Sequence, residues 1–432
     1  MRILFVSEFF PEDLDQDVFG VFQRQSMFID ALKTLGQLEC LFYADRGVID
    51  DIGDQDAYVD RLREHWDANL SAVLRPVLGG LSMTDLSAHV AAWLRATAAG
   101  NFSYFLRRVS ARTSGSPQVA AFEERVDRGY AMVFAHRLGA MAPILLSRRR
   151  RLPVVLDLDD LDYRRIGQRL DSETGPVRRF HLRLAKEMLR RQTGRVTRAA
   201  RLSFVCSELD RARLHSETGA DRVLSVPNAV VVPDSKPDVA SANLLHVGPY
   251  TYPPNAKSAE FLISEVLPRV RTAVPEAKLL IVGSHPEQIP SFRARPDGVE
   301  FVGFSDDLVS LYARSRVACC AVTLGSGTRF KILEAAAHGT AVVSTTFGAE
   351  GIDLEDRCSI RIGDSAAEFA SACIELLTDE QRRRFQRAAA HDAVRRKYDR
   401  NVIIERIRQV IETVVLSQHP PVPANFGCQN AR

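Results

Sequence analysis

The run Leu324-Gly325-Ser326-Gly327-Thr328-Arg329-Phe330-Lys331 gathers residue types that suit a phosphate group. Glycines let a backbone approach a ligand without interference from Cβ. The unpaired N–H groups that open a helix favour an anion. Arg329 and Lys331 add cations at that same end, where they oppose the helix dipole; a bound anion resolves the conflict. A cation about 4 Å from a phosphate charge contributes roughly 4 kcal/mol at an effective dielectric of about 20, before desolvation. Glu334, one turn further on, can accept hydrogen bonds from ribose hydroxyls, and Ala335-Ala336-Ala337 lets the helix pack closely on a sheet. We therefore read Gly325–Ser344 as a holder of a diphosphate and a ribose.

Gly325-Ser326-Gly327 also begins like the G-x-G-x-x-G of a dinucleotide fold. That reading fails at the sixth position, which is Phe330, and at the end of the next strand, where Ser344-Thr345-Thr346 offers no acid for a ribose 2′-OH. Asp157-Leu158-Asp159-Asp160 invites a divalent metal, since carboxylates suit Mg²⁺ or Mn²⁺. The run ends a strand, and we read it as a turn and helix cap, with no metal expected. Cys40, Cys206, Cys319, Cys320, Cys358, Cys373 and Cys428 lack zinc or disulfide spacing, which favours a reducing compartment and a cytoplasmic location.

These residues need strands and helices to position them. Arg2–Ser7 is a β-branched and aromatic run, Val21–Leu35 carries apolar residues at helical spacing, and Leu38–Tyr43 is a second strand. This βαβ unit requires a parallel sheet. About Asp54 to Asp127 the pattern is helical and irregular. Ala131–Ala135, Val154–Asp157, Leu202–Cys206 and Val223–Val226 are further strands, and Phe180–Arg201 is a basic amphipathic helix. Pro233–Ala242 is polar and reads as a linker. A second alternation follows, with strands at Leu244–Gly248, Lys278–Gly283, Gly298–Val302, Val317–Val322 and Ala341–Thr345. The expected architecture is α/β, two doubly wound Rossmann-like domains facing a central cleft: residues 1–235 with a helical insert at about 54–127, and residues 236–398. A C-terminal helix over 399–416 is expected to pack back on the first domain, and 417–432 to form a disordered tail.

The 432 residues are 46% hydrophobic and 26% charged, the make-up of a globular protein too long for one ordinary core. No run of about 18 or more apolar residues exists to span a membrane, and Glu8 and Pro11-Glu12-Asp13 cut short the apolar N-terminus. Net charge is only +3, yet arginines crowd into Arg148–Arg201. Such a band attracts an anionic membrane surface, a nucleotide or a nucleic acid. It lacks the interleaved aromatics of a single-strand platform, so we expect no nucleic-acid partner.

Gly325–Gly351 (GSGTRFKILEAAAHGTAVVSTTFGAEG) resembles the donor-binding segment of family-4 retaining glycosyltransferases with the GT-B fold, in the bacterial polysaccharide-synthesis branch that carries G-x-G-T-R-x-K-x-L-E-A. Val226-Pro227-Asn228-Ala229-Val230 resembles the family's V-P-N-G-V turn, His246-Val247-Gly248 its second-domain opening strand, and Tyr252-Pro253-Pro254-Asn255 the branch's Y-x-P-N loop. Val299–Asp307 is similar to its base-side strand and loop. The resemblance implies transfer of a hexose from a nucleotide diphosphate sugar to a hydroxyl of a glycan or lipid-linked acceptor, without metal or other cofactor. It implies Gly20, Gly325, Ser326, Gly327, Thr328, Arg329, Lys331 and Glu334 as donor-binding residues. It also implies His136, Arg329 and Lys331 as catalytic residues, with His136 near the transferred sugar.

The sequence departs from the family where a glutamate would contact the sugar, a position held by Ser326. It also lacks the cation pair after the second domain's first strand, for which Arg329 and Lys331 are taken as substitutes. The alternatives are a non-transferring GT-B enzyme of the sugar-nucleotide epimerase type, or a catalytically degenerate binding protein. The expected location is cytoplasmic, peripheral on the inner membrane face through the arginine band.

Overall fold

The computed structural model describes the chain except residues 11–19, 69, 78–112, 150–151, 234–240, 326 and 417–432. Among the described residues the strands form two all-parallel sheets. The first contains β1 (Arg2–Ser7), β2 (Gln37–Ala44), β3 (Leu70–Pro76), β4 (Met132–His136), β5 (Val154–Asp157), β6 (Leu202–Val205) and β7 (Val223–Ser225), in the order β3-β2-β1-β4-β5-β6-β7. The second contains β8 (Asn243–Val247), β9 (Lys278–Val282), β10 (Val299–Gly303), β11 (Val317–Cys320), β12 (Ala341–Ser344) and β13 (Arg361–Ile362), in the order β10-β9-β8-β11-β12-β13. Each sheet winds outward in both directions from its first strand. Strand order therefore reverses between β1 and β4, and again between β8 and β11. In open parallel sheets ligands bind at the carboxyl ends of such strand pairs.

Alternation explains the packing. In β1, Leu4 and Val6 join a core shared with Leu41, Val133, Ala135 and Leu156. Phe5 faces the other way and stacks on Phe134, with centroids 5.5 Å apart. Helix α1 (Gly20–Lys33) covers that second face. Its Phe28 lies 4.9 Å from Phe134 and 5.6 Å from Phe204. Helices α2 (Asp162–Ser172) and α3 (Pro176–Ala199) follow β5 and pack on each other. In the second sheet, α4 (Phe330–Ala337) buries Ile332, Leu333 and its alanines against β11 and β12.

Two expectations need correction. The stretch read as helical over 54–127 contains β3, which pairs along its whole length with β2. Its short sequence, LSAVLRP, has a half-exposed burial pattern, and short apolar runs do not declare their type by periodicity. Residues 78–112 of that stretch lie outside the described residues, as does the C-terminal tail. The first domain also ends earlier than the polar linker suggested. The compact units are Met1–Pro227 with Ile404–Arg432, and Asn228–Ile403. Val230 joins the second unit because its N–H donates to Tyr398 O while its carbonyl accepts from Arg400 N–H. Helix α5 (Arg400–Ile411) therefore begins in the second unit and continues in the first.

Candidate functional site

The loop from β11 to α4 carries the residues read as phosphate ligands. Gly325 and Gly327 have φ of 119° and 74°, a region costly for side-chain-bearing residues. Arg329 occupies the helix N-cap and supplies no side-chain cap, so the opening N–H groups are left to other partners. The Arg329 guanidinium lies 5.0 Å from the centre of the Phe347 ring, and its Nη2 is buried with no hydrogen-bond partner among the described residues. A buried donor left unpaired costs about 1–3 kcal/mol, more when charged. An acceptor oxygen is the group this nitrogen lacks among the described residues. Thr328 is buried and its hydroxyl accepts from Asn228 Nδ2 at 2.8 Å. Ser326 lies outside the described residues.

Lys331 points from α4 toward the end of β8. Its Nζ donates to Asn255 Oδ1 at 2.9 Å, and Asn255 Nδ2 donates to Pro249 O at 2.9 Å. A Cβ on Gly248 would sit 2.6 Å from Asn255 Nδ2 and 3.0 Å from Lys331 Nζ. One on Gly325 would sit 2.7 Å from the Tyr252 hydroxyl. Asn255 lies in the first turn of a helix, Pro253–Phe261, with Tyr252 as its N-cap, so this helix start, where a loop was expected, holds the start of α4 from the β8 side. Burial lowers the Lys331 pKa and the nearby Arg329 charge adds to the shift, so bringing an anion here relieves repulsion between cations. Sequence reasoning quoted Asn255 within a motif but gave it no role. Its contact with Lys331 joins residues far apart in the chain, which no local pattern reveals.

Glu334 lies one turn beyond Lys331, beside Tyr312. Burial, reinforced by this carboxylate, raises the Tyr312 phenol well above its ordinary value. Tyr312 in turn stacks on His338 at 4.9 Å.

In the first unit, Gly20 is the opening residue of α1, and the preceding Phe19 lies outside the described residues. His136 ends β4 and is fully buried. Register places Ser7, His136, Asp157 and Phe204 in one row across β1, β4, β5 and β6, facing α1. Gln25 donates to Ser7 Oγ at 3.1 Å. Arg24 donates to Asp157 Oδ1 at 2.7 Å through Nη2 and to Val226 O at 2.9 Å through Nη1. His136 Nδ1 lies 3.2 Å from Asp157 Oδ2.

Asp157 therefore spends its oxygens inside the unit. Helix α2 is capped by Leu161, with no side-chain cap bond, so the aspartate run does not serve as the helix cap we expected. Asp159 has φ of 56° and accepts from the Cys206 thiol at 3.3 Å. Burial, with the neighbouring Asp160 charge, raises the Asp159 carboxyl. Asp159, Asp160 and Cys206 have ligand atoms close enough to share an ion, but Arg24 Nε already lies 3.6 Å from Asp159. Sequence reasoning missed Arg24. The signal was available: it sits four residues before Phe28, on the buried stripe of α1, where an unpaired cation is too costly to keep.

Burial lowers the pKa of His136, outweighing the pull of Asp157. Burial, with Lys331 nearby, also takes His246 down to about 3; its Nδ1 lies 2.9 Å from Cys319 O. Both rings are neutral in the fold, whereas an unfolded histidine protonates near pH 6.5. Below that pH the unfolded chain binds more protons than the folded one. Stability then falls with pH by up to about 1.4 kcal/mol per pH unit for each ring, until the folded pKa is reached. The melting temperature is expected to drop between about pH 7 and about pH 5. An unchanged value over that interval would contradict the neutral assignment.

Helix α3 carries much of the arginine band. Arg190 and Arg191 both bind Glu187, at 2.7 Å each, so part of the band is structural. Val177 (67% exposed), Phe180 (65%) and Leu184 (39%) form an i, i+3, i+7 stripe on its first turns, interspersed with the exposed Arg178 and Arg183. Among the described residues no helix is long and apolar enough to cross a membrane.

Residues 241–379 match the family model described as Glycosyl transferases group 1. The chain is 34% identical over 228 residues to the phosphatidyl-myo-inositol mannosyltransferase of Mycobacterium leprae, covering 49% of this chain. It is 30% identical over 229 residues, 48% of this chain, to the protein of that name from Mycobacterium tuberculosis. The match spans 59% and 58% of those relatives, a little over half their length. Among solved structures, Anabaena HepE in complex with UDP and glucose superposes with a TM-score of 0.62 at 16% identity, over 95% of this chain and 99% of that one. Sucrose-phosphate synthase from Thermosynechococcus elongatus gives 0.64 at 16% identity, over 95% and 98%. The architecture is the GT-B fold, with two parallel-sheet α/β domains.

Proposed function

We propose that this chain is a retaining glycosyltransferase that moves a hexose from a nucleotide diphosphate sugar to a hydroxyl of a glycan or lipid-linked acceptor, in polysaccharide synthesis. The observation that carries the reading is the buried, unpartnered Arg329 Nη2 beside the clamped Lys331, at a helix start without a side-chain cap. This arrangement suits a diphosphate, and the family match over 241–379 covers it. The named activity of the mycobacterial relatives supports sugar transfer, and their name supports a lipid-linked acceptor.

In this mechanism the bond between the anomeric carbon and the phosphate oxygen breaks, and its electron pair stays on the leaving diphosphate. Arg329, Lys331 and the N–H groups opening α4 stabilise that growing charge, which is preorganised electrostatic catalysis. The acceptor hydroxyl attacks from the same face. Its oxygen forms the new glycosidic bond and its proton passes to the departing phosphate oxygen. No metal enters the scheme, and the working donor ligands are Gly20, Gly325, Gly327, Thr328, Arg329, Lys331 and Glu334.

The test is a thermal-shift screen against UDP-, GDP-, ADP- and dTDP-sugars, followed by product analysis by NMR with and without acceptor. The reading expects one donor to stabilise the protein and an acceptor-dependent product of unchanged anomeric configuration. A product isomerised at the sugar without acceptor would instead make the chain an epimerase. No stabilisation by any donor would leave a binding protein without this ligand.

We also propose a cytoplasmic enzyme that touches the anionic inner membrane face through α3, its Val177, Phe180 and Leu184 entering the interface and the flanking arginines meeting lipid phosphates. The protein is expected to float with anionic vesicles at low salt, to be released by high salt, and to lose most binding when Phe180 and Leu184 become serine. Equal flotation with neutral vesicles, or none with either, would end the membrane reading.

A further inference from the structure

Lys331 is half-buried at the start of α4, and the group that receives its ammonium is a neutral amide, Asn255 Oδ1 at 2.9 Å. A cation drawn out of water is ordinarily matched by a carboxylate. The chemistry at the two ends of the amide fixes which way it faces. An ammonium only donates and the Pro249 carbonyl only accepts, so Oδ1 must turn to Lys331 and Nδ2 to Pro249, to which it donates at 2.9 Å. Asn255 is itself held in place. It is buried, two prolines precede it in the first turn of helix Pro253–Phe261, and its own N–H donates to Tyr252 O at 2.9 Å.

Gly248 makes the room: a Cβ there would come within 2.6 Å of Asn255 Nδ2 and 3.0 Å of Lys331 Nζ. The helix that carries Asn255 offers an anion no backbone donor at its start. Pro253 and Pro254 lack an N–H, and those of Asn255 and Ala256 both go to Tyr252 O. All of these atoms belong to the second unit, and Gly248 follows β8 at the strand-order reversal.

We propose that Asn255 is a positioning residue for Lys331: its amide holds the ammonium at the end of β8 and, being neutral, leaves the whole of that charge for the diphosphate. The inference rests on the nucleotide diphosphate sugar reading and adds to it the reason that an amide stands where a carboxylate would pair more strongly. An aspartate of the same shape would neutralise Lys331, repel an incoming diphosphate at short range and set an acceptor against the Pro249 carbonyl. With asparagine there, the repulsion between Arg329 and Lys331 is left for the ligand to relieve.

The test is a double-mutant cycle read by calorimetry on the full chain, with UDP, GDP, ADP and dTDP as probes. Asn255→Ala is expected to weaken the nucleoside diphosphate that binds wild type by about tenfold, the lower end of a hydrogen bond to a charged group. Lys331→Met is expected to weaken it as much or more. In the Lys331→Met background Asn255→Ala is expected to cost nothing further, because a positioning residue has no effect once the group it positions is gone. Asn255→Asp is expected to lose about tenfold beyond Asn255→Ala through like-charge repulsion, and that surplus to shrink as salt is raised.

A role confined to holding the turn would lower affinity by the same factor with or without Lys331, and such additivity would overturn the inference. So would wild-type affinity in Asn255→Ala or in Asn255→Asp. Should Asn255→Ala not fold, Asn255→Ser, too short to reach Nζ, takes its place in the cycle with the same two outcomes. A wild type that binds none of the four nucleoside diphosphates would overturn the nucleotide reading along with the inference, whereas one that binds a probe and gives an additive cycle overturns the inference alone.

Discussion

Arg329→Ala is expected to lower turnover at least about a hundredfold, equivalent to roughly 2.7 kcal/mol of lost transition-state stabilisation, without weakening the fold. Both halves follow from the same nitrogen. Arg329 Nη2 is buried and unpaired among the described residues, so the protein alone gains nothing from it and bears its desolvation. Removal costs the contact with Phe347, 5.0 Å away, worth about 0.5–1 kcal/mol at most sites, and relieves the repulsion on Lys331. The melting temperature should hold or rise, the usual mark of a residue kept for a ligand at the fold's expense. Lys331→Met should show a comparable kinetic loss with a weaker donor affinity. Near-normal nucleoside diphosphate release by Arg329→Ala would remove the basis of the assignment.

Gly283→Ala should do the reverse and damage structure first. Gly283 follows β9 with φ of 140°, and a Cβ there would lie 2.0 Å from the carbonyl oxygen of Gly248. Neither atom is the end of a flexible side chain, so the ends of β8 and β9 must part. The combined clash and disallowed backbone should destabilise the second unit by about 3 kcal/mol or more. Parting those strands also displaces Pro249, whose carbonyl anchors Asn255 and through it Lys331. Chemical denaturation should show an earlier transition, and the stabilisation by the correct donor should vanish with it. A variant with wild-type stability and donor binding would mean that the glycine pair does not need its close approach.

The arginine at position 329 was readable in advance and the glycine at 283 was not, and the reason is physical. Both sheets announced themselves through alternation and through β-branched runs bounded by turns, because each buried strand repeats a local pattern. Arg329 and Lys331 stood out because two cations at a helix start contradict the dipole, a conflict visible within a few residues. Strand β3 escaped because its half-exposed edge lacks a clean period. The burial of Arg24 was legible on the stripe of α1, but its partner Asp157 was not, and neither was the tie of Asn255 to Lys331, because those partners lie in other elements and meet only after folding. Ser326, read as the departure that leaves the sugar contact unassigned, lies outside the described residues.

The course of the chain through its two units carries a consequence for biosynthesis. The first unit is left at Pro227 and regained only at Ile404, through a helix that starts in the second. Ile407 and Val410 of that helix are buried. During translation all of the second unit therefore emerges while the first still waits for the part of α5 from Ile404 onward. On the ribosome the usual order, amino-terminal domain first, is reversed in completion: the second unit can close as a finished body while the earlier one remains open. Premature termination within α5 would thus strike the part of the protein made first.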